Sequence, residues 1–312
     1  MGHRGGSRTV LVTGAMGHVG RHLVPQLVQT GVEVRALSRG DTTADLPAGA
    51  ERVLGDLANP DSLRRALEGV ESVFLLWPFF SSEFAPAALE TIARYTRRVV
   101  FLSSMGGRDE LGCKSEPISF HAEIEGLIER SGLEWTFLRA SGFASNALMW
   151  APQIRATGSV RCRYGAVARS PIHECDVAAV ATRALTEYGH AGARYRITGP
   201  QSLTLAEQVH LIGKAIGREL RWEDTTRQAA RRRLLQTVPR QLADSLLDAH
   251  LGFIHEPELV TQTVEEITGA PARSFREWAS DHAADFQGES ASLGDHKRHA
   301  GRQLLPGSAR TV

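Results

Sequence analysis

Cysteine is scarce in this chain of 312 residues: there are three, Cys113, Cys162 and Cys175. An odd, widely spaced set without CxxC spacing excludes a disulfide framework and offers no zinc site. Lysine is equally scarce, confined to Lys114, Lys214 and Lys297, so the positive charge is almost all arginine. Neither sign of charge is in excess. The formal net charge is +1, which gives no global field for nucleic acid or an anionic membrane. Long apolar runs are missing too; the stretch Val73 to Phe80 is far too short to cross a bilayer. The first residues, Met1 to Ser7, lack an apolar signal core, and a cytoplasmic location is the expectation. What remains is an ordinary globular composition, 42% hydrophobic and 23% charged.

The first part of the chain alternates short β-branched runs with helical patterns. Thr9 to Thr13, Val32 to Ser38, Arg52 to Leu54, Ser72 to Leu76, Arg98 to Ser103 and Glu134 to Arg139 read as strands. Between them His18 to Gln29, Asp61 to Leu67, Pro86 to Tyr95 and Glu116 to Arg130 read as helices. Repeated β-α-β units with short connections predict an α/β fold, a doubly wound parallel sheet of the Rossmann type. Beyond Arg139 the alternation fails. Asp176 to Tyr188 reads as a helix opened by an Asp cap, and Arg194 to Thr198 as a strand. Thr204 to Ile216, Thr225 to Leu235 and Gln241 to His250 read as helices of a smaller lobe. The expected division is a nucleotide-binding core over 8–140, a substrate lobe over 141–286 that returns strands to the core, and a disordered tail over 287–312.

Gly14, Gly17 and Gly20 fall between the first strand and the first helix, where a dinucleotide motif has to be. Glycine lets the backbone approach a pyrophosphate, and the helix N-terminus stabilises its charge. Met16, His18 and Val19 share that loop. The second strand ends Ala36-Leu37-Ser38-Arg39, with no carboxylate before Asp41 to accept from a ribose 2′-hydroxyl. Arg39 instead suits a 2′-phosphate, with Ser38 adding a hydroxyl, so NADPH is the expected cofactor.

These stretches occur in one order with Gly55-Asp56-Leu57, Val99 to Ser104, His121-Ala122-Glu123-Ile124-Glu125 and Ser131 to Arg139. Together they resemble the NmrA-like group of atypical short-chain dehydrogenases/reductases, over roughly Arg8 to Phe286. The resemblance implies that Asp56 and Leu57 lie beside the adenine. It implies that Leu76, Trp77 and Pro78 border the ribose and nicotinamide, with Ser103, Ser104 and Phe143 near the nicotinamide. Met16 departs from the smaller residue or threonine usual in the group.

The wider superfamily uses a Tyr-x-x-x-Lys pair, and this chain has none. Four residues beyond Tyr95, Tyr164, Tyr188 and Tyr195 lie Val99, Ala168, Gly192 and Gly199. In the expected register Pro117 replaces the tyrosine and His121 the lysine. Three roles stay open for His121: proton donor, ribose contact or packing. Ser104 is the second candidate catalytic group. Glu123 and Glu125 read as solvated helix faces. His173, Glu174 and Asp176 have the composition of a metal trio, but a helix cap explains Asp176 better and no metal is expected. The arginines Arg227, Arg231, Arg232 and Arg233 read as a solvated face of a lid helix.

On the substrate side Phe80, Met105, Phe143, Asn146 and Trp150 are the expected contacts for a flat hydrophobic molecule. The leading expectation is an NADPH-dependent reductase of a quinone, enone or aromatic ketone. A non-catalytic NADP(H)-sensing regulator, and an isomerase, cyclase or dehydratase that keeps the cofactor, are the alternatives. The expected partner is a small apolar or aromatic molecule, with no nucleic acid and no membrane, and a monomer or homodimer.

Overall fold

A computed structural model describes residues 8–40, 46–105, 119–235, 240, 243–244, 247, 253–254 and 256–287. Cys113, Pro117, the first three residues of the helix expected from Glu116, most of the one expected from Gln241, and the tail beyond Gln287 lie outside them.

Seven parallel strands form the central sheet: β1 (Thr9–Val12), β2 (Glu33–Ser38), β3 (Ala50–Leu54), β4 (Ser72–Leu75), β5 (Arg98–Ser104), β6 (Glu134–Ala140) and β9 (Ala193–Ile197). Their spatial order is β3-β2-β1-β4-β5-β6-β9. The chain runs outward from β1 to β3, then crosses back to β4 and runs the other way. The crevice between β1 and β4 is therefore the topological switch point, where open α/β sheets bind ligands. A fully buried strand pays no penalty for continuous apolar sequence, and β1 and β4 are buried at every position.

The two faces carry separate cores. Helices α1 (Gly20–Gln29) and α6 (Glu174–Thr186) cover one, packing Leu23, Leu27, Val177 and Ala181 against Val10, Val12 and Phe74. On the other, α2 (Pro60–Leu67), α3 (Ala85–Tyr95) and α4 (Ser119–Glu129) bring Leu63, Leu89 and Ile124 onto Leu11, Val73 and Phe101. The result is a Rossmann-like α/β fold with a largely helical C-terminal region.

That region has a third core, built by Trp150, Ile154, Ile212, Phe275 and Trp278. It joins a 3-10 turn (Ala144–Trp150), α5 (Ala151–Thr157), α7 (Leu205–Ile216), α10 (Phe275–Asp281) and α11 (Ala283–Phe286), while α8 (Arg227–Leu234) lies outside it and α9 (Thr263–Thr268) packs Val264 in the α1–α6 core. Two small ladders complete it: β7 (Ser159–Cys162) with β11 (Arg221–Asp224), and β8 (Ala168–Arg169) with β10 (Leu203–Thr204).

Two expectations need correction. The first helix begins at Gly20, not His18, because Gly14 to Val19 forms the turn that delivers the chain to it. The cap of α6 is His173, whose Nδ1 accepts the Cys175 amide at 3.1 Å. Asp176 lies inside that helix, buried, and takes the backbone amide of Arg273 at 2.7 Å together with its guanidinium. The 3-10 turn, α5 and β7 follow β6 where the sequence alternation gave no clear period.

Candidate active site at the β1–β4 crevice

The Gly14–Gly20 loop is shaped by contacts that only glycine allows. Gly14 has φ +64°. A Cβ on Gly20 would lie 2.2 Å from the Gly14 carbonyl oxygen and 2.5 Å from the Ala15 Cα, inside any real contact distance. The Gly17 amide donates to the Gly14 carbonyl at 2.9 Å and closes the turn. The helix entrance that follows has no side-chain cap and no acidic residue in its first turn. Its amides and positive dipole are thus not engaged by a side chain, and Met16, Gly17 and His18 are exposed around them. This is the geometry a pyrophosphate needs, so the loop fits a dinucleotide.

Thr13 fastens the loop to the sheet. Its hydroxyl donates to the Leu76 carbonyl at 3.0 Å and accepts the Leu76 amide at 2.7 Å, joining the ends of β1 and β4. Arg39, directly after β2, is exposed and makes no ion pair among the described residues. The Ser38 hydroxyl is turned onto the Gly40 carbonyl at 2.6 Å, which tightens the bend carrying Arg39. Asp56 holds the next bend by accepting the Ala58 amide at 3.0 Å.

Two of the expected contacts are buried by the fold. The Leu57 side chain packs in the core with Leu63, and Trp77 donates its indole N–H to the Ser81 carbonyl at 2.7 Å while packing on Phe79. Only the main chain of these two residues can face a ligand. Leu76 is partly buried over Gly14, and Pro78 is exposed beside it.

Ser103 and Ser104 end β5, and Met105 follows with its amide on the Ala140 carbonyl at 3.1 Å. The Ser103 hydroxyl does not point to open space: it donates to Glu125 Oε1 at 2.6 Å. Glu125, expected on a solvated face, is 1% exposed and receives Arg139 through Nε at 3.0 Å and Nη2 at 2.6 Å. The correction is physical. A carboxylate on the inner face of α4 is tolerable because a guanidinium from β6 meets it at two points. Glu123, two residues earlier, is exposed and accepts the Ser82 hydroxyl.

One turn before Glu125 stands His121. Its ring stacks on Phe120 with centroids 4.2 Å apart and lies 6.0 Å from Phe101. Its Nδ1 is buried without a partner among the described residues. Burial depresses its pKa to about 4, so the ring is neutral at physiological pH. A neutral imidazole offers a hydrogen bond, not a stored proton.

The substrate-side residues divide. Phe80 and Met149 are more than half exposed, Asn146 is exposed and Phe143 partly so, on the segments that follow β4 and β6. Trp150 is 5% exposed and meets Trp222 edge-on at 5.8 Å, so its indole braces the C-terminal core and is not presented to a ligand. The Glu174 carboxylate is also buried, held by Trp278 Nε1 and His282 Nε2, each at 3.2 Å. Sequence reasoning passed over Thr13 and Glu125. The spacing of four from His121 puts Glu125 on the same helix face, but nothing in the sequence shows its buried partner Arg139.

A family described as NAD(P)H-binding matches residues 14–188, more than half of the chain. A (4-alkanoyl-5-oxo-2,5-dihydrofuran-3-yl)methyl phosphate reductase of Streptomyces griseus is 38% identical over 284 residues, 90% of this chain and 100% of that protein. An NAD(P)H azoreductase of Xenophilus azovorans is 34% identical, covering 89% of this chain and 99% of its own. Among solved structures, the NADPH-dependent quinone oxidoreductase of Escherichia coli in complex with NADPH superposes with a TM-score of 0.70. It covers 87% of this chain and 99% of its own at 22% identity, a likeness of fold alone.

Proposed function

The chain belongs to the NAD(P)H-binding family, and we propose that it is an NmrA-like, NADPH-dependent reductase of a conjugated carbonyl compound. The observation that carries this reading is the uncapped, glycine-lined entrance to α1, with Arg39 exposed at the end of the neighbouring strand and without an ion pair among the described residues. In it, the loop Gly14 to Gly20 takes the pyrophosphate. Arg39 and Ser38 take the 2′-phosphate, and Asp56 with the Leu57 main chain borders the adenine. Leu76, the Trp77 main chain and Pro78 line the ribose side, while Ser103, Ser104, His121 and Phe143 surround the nicotinamide.

When bound, the dinucleotide supplies a hydride. The residues of the chain have three tasks beside it. Phe80, Phe143 and Met149 hold an apolar ring flat and keep water from its face. Positioning of this kind supplies much of the rate when the acceptor is already electron-poor, which is why no tyrosine–lysine pair is needed. His121, neutral, and Ser104 donate hydrogen bonds to the substrate oxygen on which negative charge grows. The carbon left electron-rich takes its proton from water.

The named activities of the 38% and 34% identical relatives favour acceptors of this kind: an acylated unsaturated lactone has a conjugated C=C, and an azo compound an electron-poor N=N. Enones lead over quinones and aromatic ketones on that ground. Incubation with NADPH and a panel of acyl butenolides, quinones and aromatic ketones tests the proposal. Stoichiometric loss of NADPH absorbance with formation of a saturated lactone is expected. Tight NADPH binding with no consumption on any of them overturns it.

A further inference from the structure

The loop after β6 holds a feature that hydride transfer itself does not require. A Cβ on Gly142 would lie 3.3 Å from Arg169 Nη2 and 3.9 Å from Asn146 Nδ2. Two nitrogen donors from separate segments therefore lie close together beside Gly142, where a side chain would crowd them. Asn146 is exposed, and its amide has no hydrogen-bond partner among the described residues.

Arg169 is held from behind. Its Nη2 donates to Glu258 Oε1 at 2.8 Å, and the Phe253 ring underlies its guanidinium at 4.5 Å. The other Glu258 oxygen accepts the Ser170 amide at 2.8 Å and hydroxyl at 2.9 Å. Glu258 is 6% exposed, and both its carboxylate oxygens are engaged in these bonds. The Arg169 Nε is buried with no acceptor, although the side chain is partly exposed. A stacked guanidinium that keeps a donor unpaired among the described residues, beside the exposed Asn146 side-chain amide, has the chemistry to take an anion.

We propose that Arg169 and Asn146 form a subsite for a phosphate monoester borne by the reducible substrate. This rests on the reductase reading above. Gly142 adjoins Phe143, so the anion lies one short arm from the ring that Phe143 holds. A phosphooxymethyl group on a ring carbon next to the conjugated bond has that reach, and the planar guanidinium grips it at two points.

The test uses the full chain with an acyl butenolide bearing either a methyl phosphate or the free hydroxymethyl group. The ratio of kcat/KM for ester over alcohol is measured for the unaltered protein, Arg169→Met and Asn146→Asp. The dissociation constants of both compounds on the NADP⁺-loaded protein are measured alongside. The unaltered protein should prefer the ester, and Arg169→Met should reduce that preference about 30-fold. Asn146→Asp changes only an exposed side chain, which keeps the test valid if Arg169→Met misfolds; it should reduce the preference about tenfold. An equal preference in all three proteins, or none in the unaltered protein, overturns the subsite. Ester that binds through Arg169 and is not reduced refutes the reductase reading and leaves the subsite standing.

Discussion

Arg139 meets Glu125 at two points, Nε on Oε1 and Nη2 on Oε2, with both side chains shielded from water. The pair ties β6 to α4, and Ser103 joins it from β5. Three elements of the proposed nicotinamide side are thereby locked to one another.

Removing one partner strands a buried charge. Glu125→Ala should cost about 3–5 kcal/mol in denaturant unfolding, whereas Glu125→Gln, which keeps acceptor and shape, should cost less. Equal and small losses from both would mean that the pair is not what holds α4 in place.

The nucleotide loop makes a graded prediction. Gly20→Ala drives a methyl into the Gly14 carbonyl and the Ala15 backbone, so the turn must open. NADPH affinity should fall by about 2 kcal/mol or more, the scale of a strained backbone site. Gly17→Ala meets only the Gly14 oxygen at 3.2 Å and should cost clearly less. Fluorescence titration of both variants ranks them.

His121 should leave no mark on the pH–rate profile near neutrality. Its pKa is depressed to about 4 by burial, so it is uncharged from about pH 5 upward. A break in kcat/KM between pH 6 and 7 that vanishes in His121→Gln would show that it acts as an acid after all. Stability has the matching sign. Protonation is easier in the unfolded chain, so His121 costs stability as pH falls from 6.5 toward 4. A His121→Phe variant should lose less stability over that interval in urea titrations at several pH values.

Glu174 acts in the same direction over a lower range. Burial alone would raise its pKa, but hydrogen bonds from His282, its own backbone amide and Trp278, with the charge of His173, outweigh burial and bring it to about 2. The carboxylate therefore contributes stability above pH 4.5 that is lost as pH falls toward 2. Glu174→Gln should flatten the acid limb over that interval.

The sheet was legible because buried parallel strands are continuous apolar runs, as Val73 to Leu75 and Val99 to Leu102 are. The Gly14–Gly20 turn was legible because Gly14 takes a positive φ and Gly20 has no room for a side chain. Glu125 was not, since its partner Arg139 is distant along the chain and only the parallel pairing of β5 and β6 places it alongside Ser103. Trp150 and Phe80 look alike as sequence, yet one is buried against Trp222 and the other exposed. The His173 cap was missed because side-chain capping is usually left to Ser, Thr, Asp and Asn, which made Asp176 the natural choice.

The central claim, a phosphate-bearing dinucleotide on the Gly14–Gly20 loop gripped by Arg39, is tested most directly by calorimetric titration. NADPH and NADH are each titrated into the unaltered protein and into Arg39→Asp. The unaltered protein should favour NADPH, and the variant should lose about 30- to 100-fold of that preference, the scale of charge-assisted hydrogen bonds. Equal affinity for the two cofactors in the unaltered protein, or a preference that survives Arg39→Asp intact, would contradict the account.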